Sequence, residues 1–341
     1  MAKELLDKPI LVLDGGLGTT LEDEHGIKFS FKTPLWSSHL LIENTSTLRK
    51  VQQDFASAGA DIILTATYQS SFDGFENTKM STKDDDSIGL EEARKYMLSA
   101  VDLAREAFAG RPGPVALSLG AYGATMIPST EYSGAYGPMN GDDLFKFHMD
   151  RISTFQDNQK AWQEIDLVAF ETLPRIDEVR AVVNVMQTTA NKPYWISCVF
   201  PNDDRCLPDG TTIDELIESL LLPPKGGARH HHQPWAIGIN CTKIHKISKL
   251  INAFENTSKR SSLDLPRLVL YPDGAGNQVY DTKLQQWVGD NSDQKPWDLQ
   301  MADIIQEVTQ RGAWKGIVVG GCCKTTPYHI QQLRKRVDAL K

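Results

Sequence analysis

Short apolar runs alternate along the chain with longer stretches that are amphipathic or begin at helix-capping residues. The runs predict buried β-strands at residues 10–14, 61–65, 115–119, 167–170, 194–199, 236–239, 268–271 and 316–319. The stretches between them predict helices at residues 44–57, 88–108, 142–164, 177–187, 213–221, 244–254, 300–311 and 327–340. Eight β/α units in one chain favour an α/β fold of the (β/α)8 TIM-barrel type over an open doubly wound sheet.

Two segments are longer than the loops of a simple barrel. Residues 201–234 carry Pro208, Pro223-Pro224 and Gly226-Gly227, and residues 272–297 are similarly polar and contain glycine. Both are predicted to be long surface insertions. Because the chain has no internal repeat and no linker-like stretch, residues 1–341 are predicted to form a single barrel domain.

Composition narrows the classes of function. The 341 residues are 40% hydrophobic, which supports a substantial core, and the net charge of -8 argues against nucleic-acid binding and is compatible with a cationic small molecule. The first nine residues carry charges where a secretory signal needs apolar residues, and no run is long enough to span a bilayer. We therefore predict a cytoplasmic protein without membrane partners, for which a homo-oligomer is compatible with the sequence.

Three of the five cysteines stand at predicted strand ends. Cys241 follows the run at 236–239, and Cys322 and Cys323 follow the run at 316–319. If the two strand ends meet, three thiolates converge, and three protein ligands with one open position are typical of a catalytic zinc site. An odd number of cysteines in a chain of this size favours reduced or metal-bound thiols over a disulfide framework. Two alternatives are that Cys241 is a small buried hydrophobe and that Cys322 and Cys323 form a vicinal disulfide.

Carboxylates and glycines stand at other strand ends, where a barrel keeps its chemistry. Asp14, Gly15 and Gly16 end the first strand, and Glu171 ends the fourth. The glycines would let consecutive backbone N–H groups turn toward a carboxylate, and the two acids could hold an ammonium, a combination that suits an amino acid. Alternatively, Asp14 caps its own glycine turn and Glu171 pairs with Arg175.

These motifs carry a resemblance to a known family. The chain resembles the homocysteine S-methyltransferases that use S-methylmethionine or S-adenosylmethionine, through the motifs at residues 14–16, 65–69, 170–172, 238–241 and 320–323. The resemblance implies a zinc-dependent barrel in which Cys241, Cys322 and Cys323 ligate zinc. It also implies that Asp14 and Glu171 bind the homocysteine amino group, and Gly15, Gly16, Asn240 and Gln69 complete the predicted substrate-binding set.

The expected reaction follows from sulfur chemistry. A free thiol is mostly protonated near neutral pH, and a zinc ion removes that obstacle by stabilising the thiolate. A sulfonium donor then gives up its methyl group and leaves as a neutral thioether, so no general acid is needed. Thr172 stands where betaine-using relatives have tyrosine, and the chain lacks the further domains of the cobalamin-dependent enzymes, so betaine and folate are disfavoured as donors. S-methylmethionine is favoured, with L-homocysteine as acceptor and methionine as product.

Other candidates are weaker. Trp36, Tyr68, Gln69 and Tyr271 are candidates for the donor side, although ordinary packing explains Trp36, Gln69 and Tyr271 equally well. Another thiol or selenol acceptor, such as selenocysteine, and a zinc or redox-sensing barrel without catalysis are alternative functions. The remaining conspicuous residues are interpreted as core or solvated loop: Cys198, Cys206, Asp84-Asp85-Asp86 and His230-His231-His232.

Overall fold

A computed structural model of the protein describes residues 2–79, 87–189, 192–223, 232–290 and 295–340. Its strands are β1 (Ile10–Val12), β2 (Ile63–Leu64), β3 (Val115–Gly120), β4 (Leu167–Leu173), β5 (Tyr194–Cys198), β6 (Ala236–Asn240), β7 (Arg267–Tyr271), β8 (Val279–Asp281), β9 (Gln286–Val288) and β10 (Ile317–Val319). Each of the predicted strand positions is occupied by a strand, and β8 and β9 are additional.

Eight of the described strands form one parallel sheet that closes into a barrel. Its order is β1-β10-β7-β6-β5-β4-β3-β2, so strands that are consecutive in this β/α series are neighbours. A parallel bridge between Leu13 and Ile62 joins the two ends of this order, and the Ile62 N–H donates to the Val12 carbonyl at 3.1 Å. The predicted (β/α)8 barrel is therefore confirmed.

Helices connect the strands. They are α1 (Ala2–Leu5), α2 (Leu17–His25), α3 (Leu40–Glu43), α4 (Thr45–Ser57), α5 (Phe72–Glu76), α6 (Leu90–Glu106), α7 (Gly141–Gln156), α8 (Gln159–Glu164), α9 (Ile176–Thr188), α10 (Ile213–Leu221), α11 (Ile244–Ser261), α12 (Trp297–Arg311) and α13 (Pro327–Ala339), with 3₁₀ helices at Trp36–His39 and Tyr122–Thr125. The helix predicted at 142–164 is two helices, because the Asn158 side chain accepts from the Ala161 N–H at 3.0 Å and caps α8.

The apolar core has two layers that follow the alternation of side chains along each strand. Val318 faces the interior of the barrel, whereas its neighbours Ile317 and Val319 pack against the surrounding helices. Inside the barrel, Trp195 and Leu167 belong to the same packed cluster. Because the interior is filled by side chains, a ligand site is restricted to the end of the barrel.

The two predicted insertions differ in content. The segment 272–297 contains the antiparallel hairpin β8–β9, in which Val279 pairs with Val288. Short strands with exposed residues explain why this hairpin was not predicted. In the other insertion, His230 and His231 lie outside the described residues, as does the acidic run 84–86. Cys198 is buried at 1% exposure, which confirms its interpretation as a core residue.

Candidate metal and substrate site

The cysteine sulfurs converge at the carboxyl ends of β6 and β10. Cys241 follows β6, and Cys322 and Cys323 follow β10, two strands away across β7. The three Sγ atoms lie within 4.8 Å of one another, and all three residues are partly buried. The expectation that the two strand ends bring three sulfurs together is confirmed.

In this structure Cys241 and Cys322 form a disulfide, and Cys323 is a free thiol. For this pair, the structure differs from the expectation of reduced thiols. The alternative of a disulfide between the adjacent Cys322 and Cys323 is wrong, because Cys322 is bonded to Cys241.

The same sulfurs fit a metal ion once the disulfide is reduced. Zinc–sulfur bonds of about 2.3 Å in a tetrahedral site place ligand sulfurs about 3.8 Å apart. The three Sγ atoms lie within 4.8 Å of one another, and they can adopt that spacing once the bond between Cys241 and Cys322 is broken and these two sulfurs move apart. Thiolates are soft ligands, and such a set suits zinc among the common divalent ions.

Asn240 connects the sulfur cluster to the end of β4. Its Nδ2 atom donates to the Cys241 Sγ at 3.3 Å and to the Thr172 Oγ1 at 2.6 Å, and its Oδ1 accepts from the Thr172 N–H at 2.9 Å. Thr172 and Cys241 both have positive φ, at 65° and 45°. The amide of Asn240 therefore fixes two backbone turns that non-glycine residues seldom adopt.

We expect Asn240→Ala to lower the affinity of the cysteine cluster for added zinc by about 10- to 100-fold, because it removes a hydrogen-bond partner of Cys241 and frees the turn that carries this residue. Competition with a chelator of known affinity measures the change. Asn158→Ala, which removes a helix cap remote from the sulfurs, is the matched control and should leave zinc affinity unaltered. Equal zinc affinity in Asn240→Ala and the unmodified protein would refute this role.

Asp14 lines the same cavity, and one of its carboxylate oxygens accepts no hydrogen bond from the described residues. It is 4% exposed, and its Oδ2 accepts from the Leu64 N–H at 2.8 Å. Its Oδ1 is buried and has no hydrogen-bond partner among the described residues. Burial raises the pKa of Asp14 well above its ordinary value, and the negative charge of Glu171 raises it further. Asp14 bonds the neighbouring strand and not the glycine turn that follows it, so the capping alternative is wrong.

Glu171 is the second buried carboxylate of the cavity. Its Oε1 accepts from the Ser118 hydroxyl, and burial raises its pKa to about 7, although hydrogen bonds from Ser118 and Tyr271 and the charge of Arg151 oppose this shift. Arg175 forms its ion pair with Asp177, so the alternative that Glu171 pairs with Arg175 is wrong. A cationic group that enters the cavity would offset the cost of two ionised buried acids.

The raised pKa of Glu171 predicts a stability effect. Its folded-state pKa of about 7 exceeds the ordinary 4.5, so the free energy of unfolding falls as pH rises from about 4.5 to about 7 and stays lower above that. Glu171→Gln should therefore stabilise the substrate-free protein by about 1–3 kcal/mol at pH 8, and much less at pH 5.

Denaturant unfolding of both proteins in the same metal state, at pH 5 and pH 8, measures this difference. The exposed Glu76→Gln is the matched control and should change neither value. A Glu171→Gln variant that is less stable than the unmodified protein at pH 8 would contradict the prediction.

The two glycines after Asp14 allow close approach of backbone. A Cβ on Gly16 would lie 2.4 Å from the Cys322 carbonyl oxygen, and one on Gly15 would lie 2.7 Å from the Thr325 carbonyl oxygen. The Gly16 N–H donates to the Thr325 carbonyl at 2.8 Å. The prediction that this N–H would bind a substrate carboxylate is therefore wrong. The glycines instead let the loop that carries Cys322 and Cys323 pack on the first strand.

All four candidates for the donor side line the cavity, three of them from segments outside the strands and Tyr271 from the end of β7. Trp36, Tyr68 and Gln69 line the cavity, with the Trp36 and Tyr68 rings edge to face at 6.4 Å and Gln69 Nε2 donating to the Ala124 carbonyl at 2.7 Å. Tyr271 is 1% exposed and accepts from Trp195 Nε1 at 3.1 Å, and it donates to Glu171. The expectation that Tyr271 stands at a loop top is wrong, because the alternation along β7 turns it into the barrel.

Sequence reasoning missed several residues of the cavity. Glu131 and Tyr132 come from the segment between β3 and α7, and Tyr280 and Trp287 come from the hairpin β8–β9. The Tyr132 hydroxyl forms a hydrogen bond with the Cys323 sulfur. No periodicity marks these residues, since loop packing alone brings them to the mouth of the barrel.

The fold and this cavity define a class: a (β/α)8 barrel with a cluster of cysteine sulfurs beside two buried carboxylates at the carboxyl ends of its strands. Residues 11–337 match the family model described as homocysteine S-methyltransferase. Homocysteine S-methyltransferase 2 of Zea mays is 32% identical over 96% of this chain and 90% of the relative, and YbgG of Bacillus subtilis is 30% identical over 98% and 96%. The chain belongs to the homocysteine S-methyltransferase family and is a methyltransferase.

Solved structures agree with this assignment. The metallated form of the homocysteine methyltransferase MmuM from Escherichia coli has a TM-score of 0.74 at 27% identity, over 98% of this chain and 99% of that one. Its oxidized form has a TM-score of 0.73 at 27% identity, over 96% of each chain. The cysteine cluster and the similarity to a metallated enzyme indicate a metal site. Within the described ranges, no helix has the length and apolar content to cross a bilayer.

Proposed function

We propose that the protein transfers a methyl group from a sulfonium donor, with S-methylmethionine favoured over S-adenosylmethionine, to the thiol of L-homocysteine and produces methionine in a zinc-dependent reaction. The observation that carries the proposal is the cluster of three sulfurs in the same cavity as Asp14 and Glu171. Residues 1–341 are proposed to form one homocysteine-binding barrel domain.

The metal assignment is supported by the type and spacing of the ligand atoms. Cys241, Cys322 and Cys323 are proposed to hold zinc through three thiolates and to leave its fourth position to the substrate. Zinc, when bound there, supplies the positive centre that keeps a substrate thiol deprotonated at neutral pH. The amide of Asn240 is proposed to keep the Cys241 sulfur in position.

The acceptor is proposed to be oriented by its ammonium group. The unpartnered Oδ1 of Asp14 and the carboxylate of Glu171 would receive it, which gives both buried acids a counter-charge. Gly15 and Gly16 form part of the cavity wall, and Gln69 and Asn240, which also line the cavity, are proposed to contact the substrates. Two fixed points, the ammonium and the sulfur, suffice to set the direction of the side chain.

The donor is proposed to enter against Trp36 and Tyr68, whose ring faces attract a cation. The acceptor sulfur forms a bond to the methyl carbon as the bond between that carbon and the donor sulfur breaks. The bonding pair stays on the donor sulfur, which leaves as a neutral thioether. Because nothing has to protonate the leaving group, the residues around the cavity need only align the two sulfurs and exclude water.

Incubation of reduced, zinc-loaded protein with homocysteine and methyl-labelled S-methylmethionine tests the proposal, with S-adenosylmethionine in a parallel sample and chelated protein as the control. Mass spectrometry should find labelled methionine in the S-methylmethionine sample and only a trace in the chelated one. Label from S-adenosylmethionine alone would replace the donor assignment. No label from either donor, with zinc bound, would overturn the proposed reaction.

A further inference from the structure

Glu131 is a buried carboxylate that has no role in the proposed acceptor site or metal site. It is 7% exposed, it lines the cavity, and its Oε2 has no hydrogen-bond partner among the described residues. Its backbone is held in place, because the neighbouring Thr130 N–H donates to the Gly123 carbonyl at 2.8 Å. Burial raises its pKa to about 7, and the Ser129 hydroxyl and its own N–H oppose the shift. A buried acid with an open oxygen calls for a cationic partner.

The charges around the cavity support a cationic ligand. Among the described lining residues are the carboxylates of Asp14, Glu22, Glu131 and Glu171, and that set contains no lysine or arginine. The proposed acceptor has one ammonium to satisfy the pair formed by Asp14 and Glu171. Glu131 is therefore free to pair with a second positive charge. The sulfonium group of the donor supplies such a charge.

Glu131 lies on the metal side of the cavity. The hydroxyl of the next residue, Tyr132, forms a hydrogen bond with the Cys323 sulfur. Glu131, Tyr132 and Cys323 all line the cavity. Burial is the largest cause that raises the pKa of the Tyr68 hydroxyl, and the negative charge of Glu131 raises it further.

We propose that the carboxylate of Glu131 faces the sulfonium centre of the methyl donor and selects a cationic donor over a neutral one, an inference that rests on the proposed function. The reacting sulfonium must lie next to the acceptor sulfur, which would be held beside the cysteine cluster, and Glu131 lies on that side of the cavity. A sulfonium has no N–H to donate, so the attraction is mainly Coulombic and is strong only in a site with little water.

Glu131 acts in this proposal as a specificity residue. The donor still carries most of its positive charge at the transition state, so the carboxylate stabilises the bound donor and the transition state to a similar degree. Glu131→Gln should therefore raise the KM for S-methylmethionine by about 10- to 100-fold and leave kcat within about threefold. The KM for homocysteine and the zinc content should not change, and Glu131→Asp should restore part of the donor affinity.

A neutral isostere of the donor separates recognition of charge from a structural role. In 2-amino-5-methylhexanoate a carbon replaces the sulfonium sulfur, while the ammonium and carboxylate stay. Calorimetry should show that Glu131→Gln weakens binding of S-methylmethionine by about 10- to 100-fold but changes binding of the isostere less than about threefold. Glu76→Gln is the control and should alter neither.

The outcomes distinguish this inference from the proposed function. Equal losses for the donor and the isostere would overturn it, because Glu131 would then act on the ammonium or on the structure of the cavity. An unmodified protein that transfers the methyl group, together with a Glu131→Gln variant of unchanged donor affinity, would overturn this inference alone. Failure of the unmodified protein both to bind and to use sulfonium donors would overturn the proposed function along with it.

Discussion

Replacing Cys322 by serine is expected to remove the bound zinc and to lower methyl transfer to homocysteine by at least about 1,000-fold, while the barrel stays folded. The Cys322 sulfur lies within 4.8 Å of the other two sulfurs, and a neutral hydroxyl cannot replace its negative charge. The core is expected to survive, because Cys322 is only partly buried and packs at the edge of the interior cluster that contains Val318.

Three measurements check this expectation: zinc per chain by elemental analysis, kcat/KM for homocysteine, and the thermal unfolding curve of the reduced protein. Cys206→Ser is the matched control, since Cys206 lies outside the sulfur cluster, and it should match the unmodified protein in all three. Full zinc content and activity in Cys322→Ser would refute the ligand assignment. A variant that no longer folds would assign the cluster a structural role.

Most of the barrel was predictable because each strand carries a local signal. Runs such as residues 167–170 are apolar without interruption, as expected for strands covered on both sides. The hairpin β8–β9 has no such signal, since its three-residue strands include the exposed Val279. Helix α2 was not predicted, because it begins directly after Gly16 and contains Gly18, and glycine weakens the helical signal of its first turn.

The candidate site was predictable where it depends on strand ends. Cys241, Cys322, Asp14 and Glu171 meet because parallel strands bring their carboxyl ends to one side of a barrel. Glu131 could not be predicted, since its place is fixed by packing of a long loop on Gly123. The inward direction of Tyr271 was available from the alternation along β7, because Val269, two residues earlier, also faces the interior.

The largest effect on the acceptor is expected from the two buried acids. Asp14→Asn and Glu171→Gln should each lower kcat/KM for homocysteine by about 100-fold, because each removes the negative charge that pairs with the ammonium while it keeps the size of the side chain. The loss should appear mainly as a higher KM for homocysteine, and the zinc content should match that of the unmodified protein.

An acceptor without the amino group isolates the ammonium contact. 4-Mercaptobutanoate keeps the thiol and the carboxylate of homocysteine, so the unmodified protein should use it about 100-fold less efficiently, whereas Asp14→Asn and Glu171→Gln should be within about threefold of the unmodified protein on this acceptor. If the variants lose as much activity with 4-mercaptobutanoate as with homocysteine, the two acids stabilise the structure of the cavity and do not bind the ammonium group. An unchanged KM for homocysteine in both variants would refute their assignment as the amino-acid site, because an ammonium bound by a buried pair cannot be insensitive to the removal of either charge.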